Sequence, residues 1–310
     1  MPDLTALENA AAKALRAREL LYERRVASVL RKALDEIRSE MGVIYERYSV
    51  AGILSKADMT RYARYSAMET NIVGKLDPAI KASMATMKRL SPEQYQAAFF
   101  RSAWAIDNAT GISLNWGIIN TDAIKAAYAI TDPNNKAMAE ALKNYSMKAR
   151  GKIRVALNNG LAQGKSYQDM MRDIKDALNK TNFEAMRIIR TEGQGAIAAG
   201  TADAYDKALE DGVDGNVVWS ATLDERTRDA HASMDGQVRD AEGLFHFPNG
   251  ETAPYPAWEG LSAEQRIQCR CKIRMEIEGY APQLRRTRDQ GIIPYQTYDA
   301  WAENYGPIIH

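Results

Sequence analysis

The sequence predicts a mainly α protein with a small α+β domain toward its C-terminal end, and three observations carry that prediction. Helix-forming residues fill the first 48 positions, and apolar side chains keep recurring at spacings of three and four as far as residue 210. Beyond Gly212 the texture turns to short β-rich runs separated by Gly, Pro and Asn.

Residues 4–48 read as one long amphipathic helix. Tyr22, Val26, Val29, Ala33, Ile37, Met41, Ile44 and Tyr48 fall on one face, charges fill the others, and no Pro or Gly interrupts the stretch between Leu4 and Met41. At a rise of about 1.5 Å per residue this is a rod of about 60 Å. Further helices are expected near 56–74, 92–107, 167–179 and 182–210, with pieces near 78–89, 121–130 and 134–159. Their start signals are Ser55 with Asp58, Ser91 with Pro92 and Gln94, Ser166 with Asp169, and Thr181 with Glu184, since a hydroxyl oxygen accepts from the free amide three residues on. Asp77-Pro78, Asp132-Pro133, Gly160 and Gly164 supply the expected breaks.

After Gly212, residues 217–223 are rich in strand formers, and 269–277 alternates Cys269, Cys271, Ile273, Met275 and Ile277 against Arg270, Lys272, Arg274 and Glu276. Two half-buried strands of a short antiparallel sheet follow, with a loop-rich stretch between them. The division expected is a helical body over 1–181 including the long N-terminal helix, a small α+β domain over 182–280, and an extended C-terminal arm over 281–310. The arm carries Arg285, Arg286 and Arg288 with Tyr295, Tyr298, Trp301 and Tyr305, and this aromatic supply marks it, with the long helix, as a surface for a larger partner.

Composition narrows the function classes. The 310 residues are 45% hydrophobic, enough for a substantial core, and 41 basic against 40 acidic residues give a net charge of +1, so no global field draws the chain to nucleic acid or membrane. No apolar run is long enough to span a bilayer, and charges at Asp3, Glu8, Lys13, Arg16 and Arg18 do not fit a signal peptide. Cys269 and Cys271, one residue apart, do not fit a framework disulfide, which leaves reduced thiols or metal ligands.

Three sequence pieces stand in a definite order. Arg190-Thr191-Glu192 lies on a helix; Trp219 leads through Asp224, Arg226, Thr227, Arg228 and His231 to Asp235-Gly236; Cys269-Arg270-Cys271 closes the series. In this order residues 187–273 resemble the phage Mu F-like minor head proteins. The resemblance implies a portal-associated structural component of head morphogenesis, inside the virion head or at its portal vertex and made in the host cytoplasm. Portal protein, capsid or scaffolding protein, and the packaged double-stranded DNA are the partners it implies, with a bearing on DNA packaging or ejection. It implies no catalytic reaction. Relatives with additional cysteines near the positions of Arg228 and His231 have a metal-binding look, from which this chain departs by offering His231.

Read from the residues alone, a zinc site wants four N or S ligands in tetrahedral geometry. Cys269 and Cys271 at i and i+2 share a strand face, His231 offers a third ligand, and Asp224, Asp235, His246 or water would be the fourth. The other reading makes the thiols small buried hydrophobes and His231 a loop residue bonded to Asp224 or Asp235. Asp224, Arg226 and Asp235-Gly236 fit turn chemistry, Gly236 supplying a positive φ, and Trp219 fits a core anchor.

Two other functions compete with head assembly. One is a zinc-dependent enzyme using His231, Cys269 and Cys271 with Asp224 or Glu225 as acid or base; H-E-x-x-H, G-x-S-x-G and phosphate-loop motifs are all missing. The other is a DNA-binding accessory factor packaged in the head. Its best candidate contacts are Lys143, Lys148, Arg150, Lys152 and Arg154, a stretch with no acidic residue among them, although their helical spacing spreads the charge around the axis.

Overall fold

A computed structural model describes residues 4–110, 114, 116, 136–222, 224–277, 284–287 and 291–294. In chain order the elements are α1 (Leu4–Tyr48), α2 (Lys56–Arg61), α3 (Arg64–Thr110), α4 (Lys136–Ala162), α5 (Tyr167–Glu210), β1 (Gly215–Ser220), α6 (Asp229–Ala232), β2 (Phe245–His246), β3 (Thr252–Ala253), α7 (Ala263–Arg266), β4 (Lys272–Ile277), β5 (Leu284–Thr287) and β6 (Gly291–Pro294). The chain is thus mainly α, with small antiparallel sheets toward its C-terminal end. Contacts divide it into a helical unit, Leu20–Arg89 with Lys136–Ile189, and a mixed unit, Met1–Glu19 with Leu90–Asn135 and Arg190–His310.

In the helical unit each helix buries a stripe at spacings of three and four. On α1 it runs through Tyr22, Val26, Leu30, Ala33, Ile37, Met41 and Ile44; Val29 and Tyr48, expected on that face, are only half-buried, and Leu30 and Tyr45 take the inner positions. Leu142, Tyr145, Ala149, Ile153 and Leu157 form the stripe of α4. Ser55 and Ser166 both cap as expected, accepting from Asp58 N at 3.3 Å and from Asp169 N at 3.2 Å.

The expected break at Asp77-Pro78 and the helix start expected at Ser91-Pro92 do not occur, because α3 runs through both prolines. Each proline removes the donor for the carbonyl four residues earlier, and those carbonyls belong to Gly74 and Lys88, exposed positions where an unpaired carbonyl costs little. Ser91 is therefore helix interior, and buried Gln94 donates to the Leu15 carbonyl at 3.3 Å. Thr181 likewise starts no helix: it is fully buried within α5 and donates to the Ala177 carbonyl at 2.9 Å. The helix expected near 121–130 and the break at Asp132-Pro133 lie outside the described residues.

Helix α5 ends where the change of texture was read. Gly212 adopts φ +93°, open to glycine without strain, and the Val213 amide returns to the Ala208 carbonyl at 2.9 Å. From there β1 pairs antiparallel with β4 in the register Trp219↔Ile273 and Val217↔Met275. The segment 235–239 runs beside β1, with Trp219 N donating to the Gln237 carbonyl at 2.8 Å and Arg239 N to the Val217 carbonyl at 2.9 Å. The core of the mixed unit gathers Trp219, Phe245, Phe247, Met234, Tyr205, Ile273 and Met275. In the expected C-terminal arm, β5 and β6 form a hairpin in the register Arg285↔Ile293; Arg288, Tyr295, Tyr298, Trp301 and Tyr305 lie outside the described residues. Among the described residues, no helix is long and apolar enough to cross a membrane.

Candidate functional site

The three sequence pieces converge within the mixed unit. Helix α5 presents Thr191, whose Oγ1 accepts from Gln268 N at 3.1 Å, and Glu192, whose carboxylate takes a 2.6 Å bond from Arg266. Gln194, one turn on, donates to the Cys271 carbonyl at 2.7 Å. Helix α5 thereby fixes the segment 266–271, which delivers the two cysteines to the start of β4. Arg190 points elsewhere, as its spacing from Glu192 demands, and lines a cleft described below.

The loop after β1 is built around Asp224. Its Oδ1 accepts from Arg226 N at 3.0 Å, which is turn chemistry, and both carboxylate oxygens are held by the Arg270 guanidinium. These bonds, the one from Arg270 foremost, hold the acid down at about 2. Asp235 Oδ1 accepts from Ala221 N at 2.8 Å, and Gly236 has φ +83°. Trp219 is wholly buried, edge-on to Phe245 at 5.2 Å, Phe247 at 5.4 Å and His231 at 6.1 Å.

Short helix α6 carries His231 into this core. Its Nδ1 lies 3.3 Å from Cys271 Sγ and 3.5 Å from Cys269 Sγ, and all three side chains are buried. Neither Asp224 nor Asp235 is its partner, contrary to one sequence expectation, because each is committed to other groups. Instead the buried Gln265 places Oε1 3.0 Å from Nε2. An amide oxygen accepts only, so Nε2 carries the proton and the Nδ1 lone pair faces the sulfurs. The bond from Cys271 draws Cys269 well down, and the same bond with burial drives Cys271 up.

This arrangement fits a metal ion. The donor atoms of His231, Cys269 and Cys271 all lie within 4.8 Å of one another. Ligands at about 2.1 Å and 2.3 Å from tetrahedral zinc stand about 3.6 Å apart, close to the N–S separations seen. None of the expected side-chain fourth ligands belongs to the cluster: Asp224 and Asp235 are bound elsewhere, and exposed His246 pairs with Asp240. Gln265 and the Arg270 brace escaped the sequence reading, since nothing in their spacing marks them.

The cluster borders a cleft of about 720 Å³ lined from α1, α3, α5, the loop after β1 and the lead into β4. At its edge Glu8 accepts from Tyr205 Oη at 2.6 Å and from Met275 N at 3.3 Å, and burial raises its acid to about 7. The candidate DNA contacts lie in the helical unit, where Arg150 pairs with Asp77 at 2.8 Å, Lys152 with Glu184 at 2.9 Å and Arg154 with Glu69 at 2.7 Å. Carboxylates from neighbouring helices therefore answer three of those five charges, while Lys143 and Lys148 stay exposed.

Comparison with known proteins adds the following. Residues 151–274 match the family of phage Mu protein F like proteins, a span that contains the three sequence pieces. The chain is 26% identical over 283 residues to minor head protein GP7 of Bacillus phage SPP1, covering 90% of this chain and 91% of that one. It is also 26% identical over 277 residues to an NAD(+)–arginine ADP-ribosyltransferase of Enterococcus faecalis, covering 88% of this chain but 55% of that protein. A Haemophilus influenzae protein of uncharacterized function is 31% identical over 133 residues, 43% of this chain and 28% of its own length. No solved structure matches.

Proposed function

The chain belongs to the phage Mu F-like family of minor head proteins, and from that premise we propose that it is a structural component of phage head assembly, resident in the virion head. Portal, capsid or scaffolding protein are its partners in this reading, and it bears on the packaging or ejection of DNA. The observation that carries the reading is the use made of the motif. Thr191, Glu192, Trp219, Asp224 and Asp235 are spent on holding one small domain together, whereas a catalytic motif converges on an open position with a base beside it. We read no catalytic step in them. The likeness to the minor head protein runs almost end to end on both chains, while the likeness to the ADP-ribosyltransferase leaves nearly half of that enzyme outside it.

Mass spectrometry of purified procapsids and mature virions tests this. Presence of the chain in either supports head residency, and absence from both overturns it. Cross-links to the portal protein in procapsids are the expected finer result; links to the major capsid protein alone would remove the portal from the proposal.

A second reading is favoured by the position of His231 Nδ1 between the two sulfurs. His231, Cys269 and Cys271 hold zinc, which would tie α6 to the lead into β4 and stabilise the fold by cross-linking. One zinc per chain is expected by elemental analysis, lost in the Cys269→Ser, Cys271→Ser variant. Identical melting of metal-free and zinc-saturated protein would rule the ion out as a structural element.

A further inference from the structure

The cleft beside the thiol cluster carries a charge imbalance that head assembly leaves unexplained. Eight Lys and Arg side chains line it against two carboxylates, Glu8 and Glu19. Arg226, Arg228, Arg270, Lys272 and Arg274 come from the loop after β1 and the segment through β4, and α1, α3 and α5 supply the other three. Its volume of about 720 Å³ falls among small-molecule sites, which run from about 300 to about 1,000 Å³.

Internal contacts engage most of these cations, Arg190 and Lys272 included, and remove part of the charge. Arg16 pairs with Glu19, Arg274 with Glu276 and Arg270 with Asp224. Arg226 stands 3.8 Å from the Asp224 carboxylate that Arg270 already occupies, with 65% of its side chain exposed. One carboxylate does not neutralise two guanidinium groups. Arg228 bonds the Ile267 carbonyl, a neutral acceptor that leaves its charge in place. Glu8 titrates near neutrality and so contributes a partial negative charge. Apolar stretches of the wall, such as Ala198, Ile197 and Ile273, exclude water between the cations and concentrate their field. Guanidinium groups braced by a carboxylate and aimed into a concave, partly apolar space suit the oxygens of a phosphate, which accept two parallel N–H bonds from each fork.

We propose that this cleft binds a phosphate-bearing ligand of about nucleotide size, either a free nucleotide or the phosphorylated end of a nucleic-acid strand. The inference rests on the cleft and not on the assembly role: it is measured on the soluble chain, whereas head residency is measured on purified heads, so either fails without the other.

Fluorescence anisotropy on the purified full-length chain provides the test, with a labelled ATP analogue and a labelled short single strand bearing a 5′-phosphate as probes. At least one probe is expected to bind, with affinity falling about 10-fold or more between about 50 and about 300 mM salt. Arg226→Ala and Arg101→Ala, both at exposed positions, are each expected to weaken binding about 10-fold on loss of a charge-assisted contact, while Lys175→Ala on the exposed face of α5 changes nothing. Displacement by unlabelled ATP identifies the free nucleotide, and displacement by the strand alone identifies the strand end. The proposal falls if neither probe binds, if a polyglutamate peptide displaces the probe as well as ATP does, or if both variants keep their circular dichroism spectrum and bind unchanged.

Discussion

The helical unit and the mixed unit are held together by different means. In the helical unit, buried side chains repeat along α1, α3, α4 and α5, and two of the ion pairs that join helices, Arg150–Asp77 and Arg154–Glu69, are at least a third exposed on one or both sides. In the mixed unit a few particular groups carry the order: Trp219 at the centre of an aromatic cluster, the Glu192–Arg266 pair at 9% and 13% exposure, and Asp224 beneath Arg270. A repeated stripe spreads its contribution over many equivalent residues. An assembly of loops has no such redundancy, so each anchor matters more.

The largest expected effect breaks that comparison most directly. Trp219→Ala removes a wholly buried indole and its edge contacts to Phe245, Phe247 and His231, at an expected cost of about 3–5 kcal/mol. Ile153→Val, at an equally buried position in the α4 stripe, costs about 0.5–1.5 kcal/mol. Hydrogen exchange resolved by residue reads the two units separately. Equal loss of protection in both variants would mean the mixed unit has as much redundancy as the helices.

The same contrast explains what was legible in the sequence. Helix α1 was readable end to end because periodicity writes a helix face directly into the residue order, and β1, β4 and the Gly212 boundary followed from alternation and turn chemistry. The break expected at Pro78 and the helix starts expected at Ser91-Pro92 and Thr181 failed because local signals lost to tertiary packing. A proline whose orphaned carbonyl belongs to an exposed residue is a tolerable defect in a helix otherwise buried along one face. At the candidate site, His231, Cys269 and Cys271 were readable as residue types. Their grip by Gln265, Thr191 and Gln194 was not, because those bonds span 34 to 77 residues of chain and follow no period.

A pH titration sharpens the comparison at intermediate size. Burial raises Glu8 of the mixed unit from the ordinary 4.5 to about 7, with Tyr205, Met275 and the charges of Arg274 and Lys272 opposing. The folded state then binds more protons than the unfolded one across that interval, so stability falls as pH rises from about 4.5 to about 7. The expected loss is about 3 kcal/mol, and Glu8→Gln should flatten it. In the helical unit burial displaces the tyrosines Tyr45 and Tyr65, both pushed up to about 12, which stay protonated throughout that range. Hydrogen exchange at pH 5 and pH 8 should therefore show the loss around α1's first turns and β4; a uniform loss across both units would assign it to other groups.

The smallest expected effect comes from the exposed ion pairs of the helical unit. Arg154 lies 2.7 Å from Glu69 with 53% of its side chain exposed. Water already solvates both groups, and ordering two long side chains offsets most of the attraction, so Arg154→Ala should cost no more than about 0.5 kcal/mol and less still at high salt. The Glu192–Arg266 pair has the same chemistry at 2.6 Å, but with Glu192 buried, where desolvation raises its acid and Arg266 is the main force pulling it back. The distance is nearly equal, so the difference between the units lies in solvent access rather than in pairing. Denaturant unfolding of Arg154→Ala at low and high salt measures it. A loss above about 1 kcal/mol that persists in salt would show that the helical unit, too, depends on particular anchors.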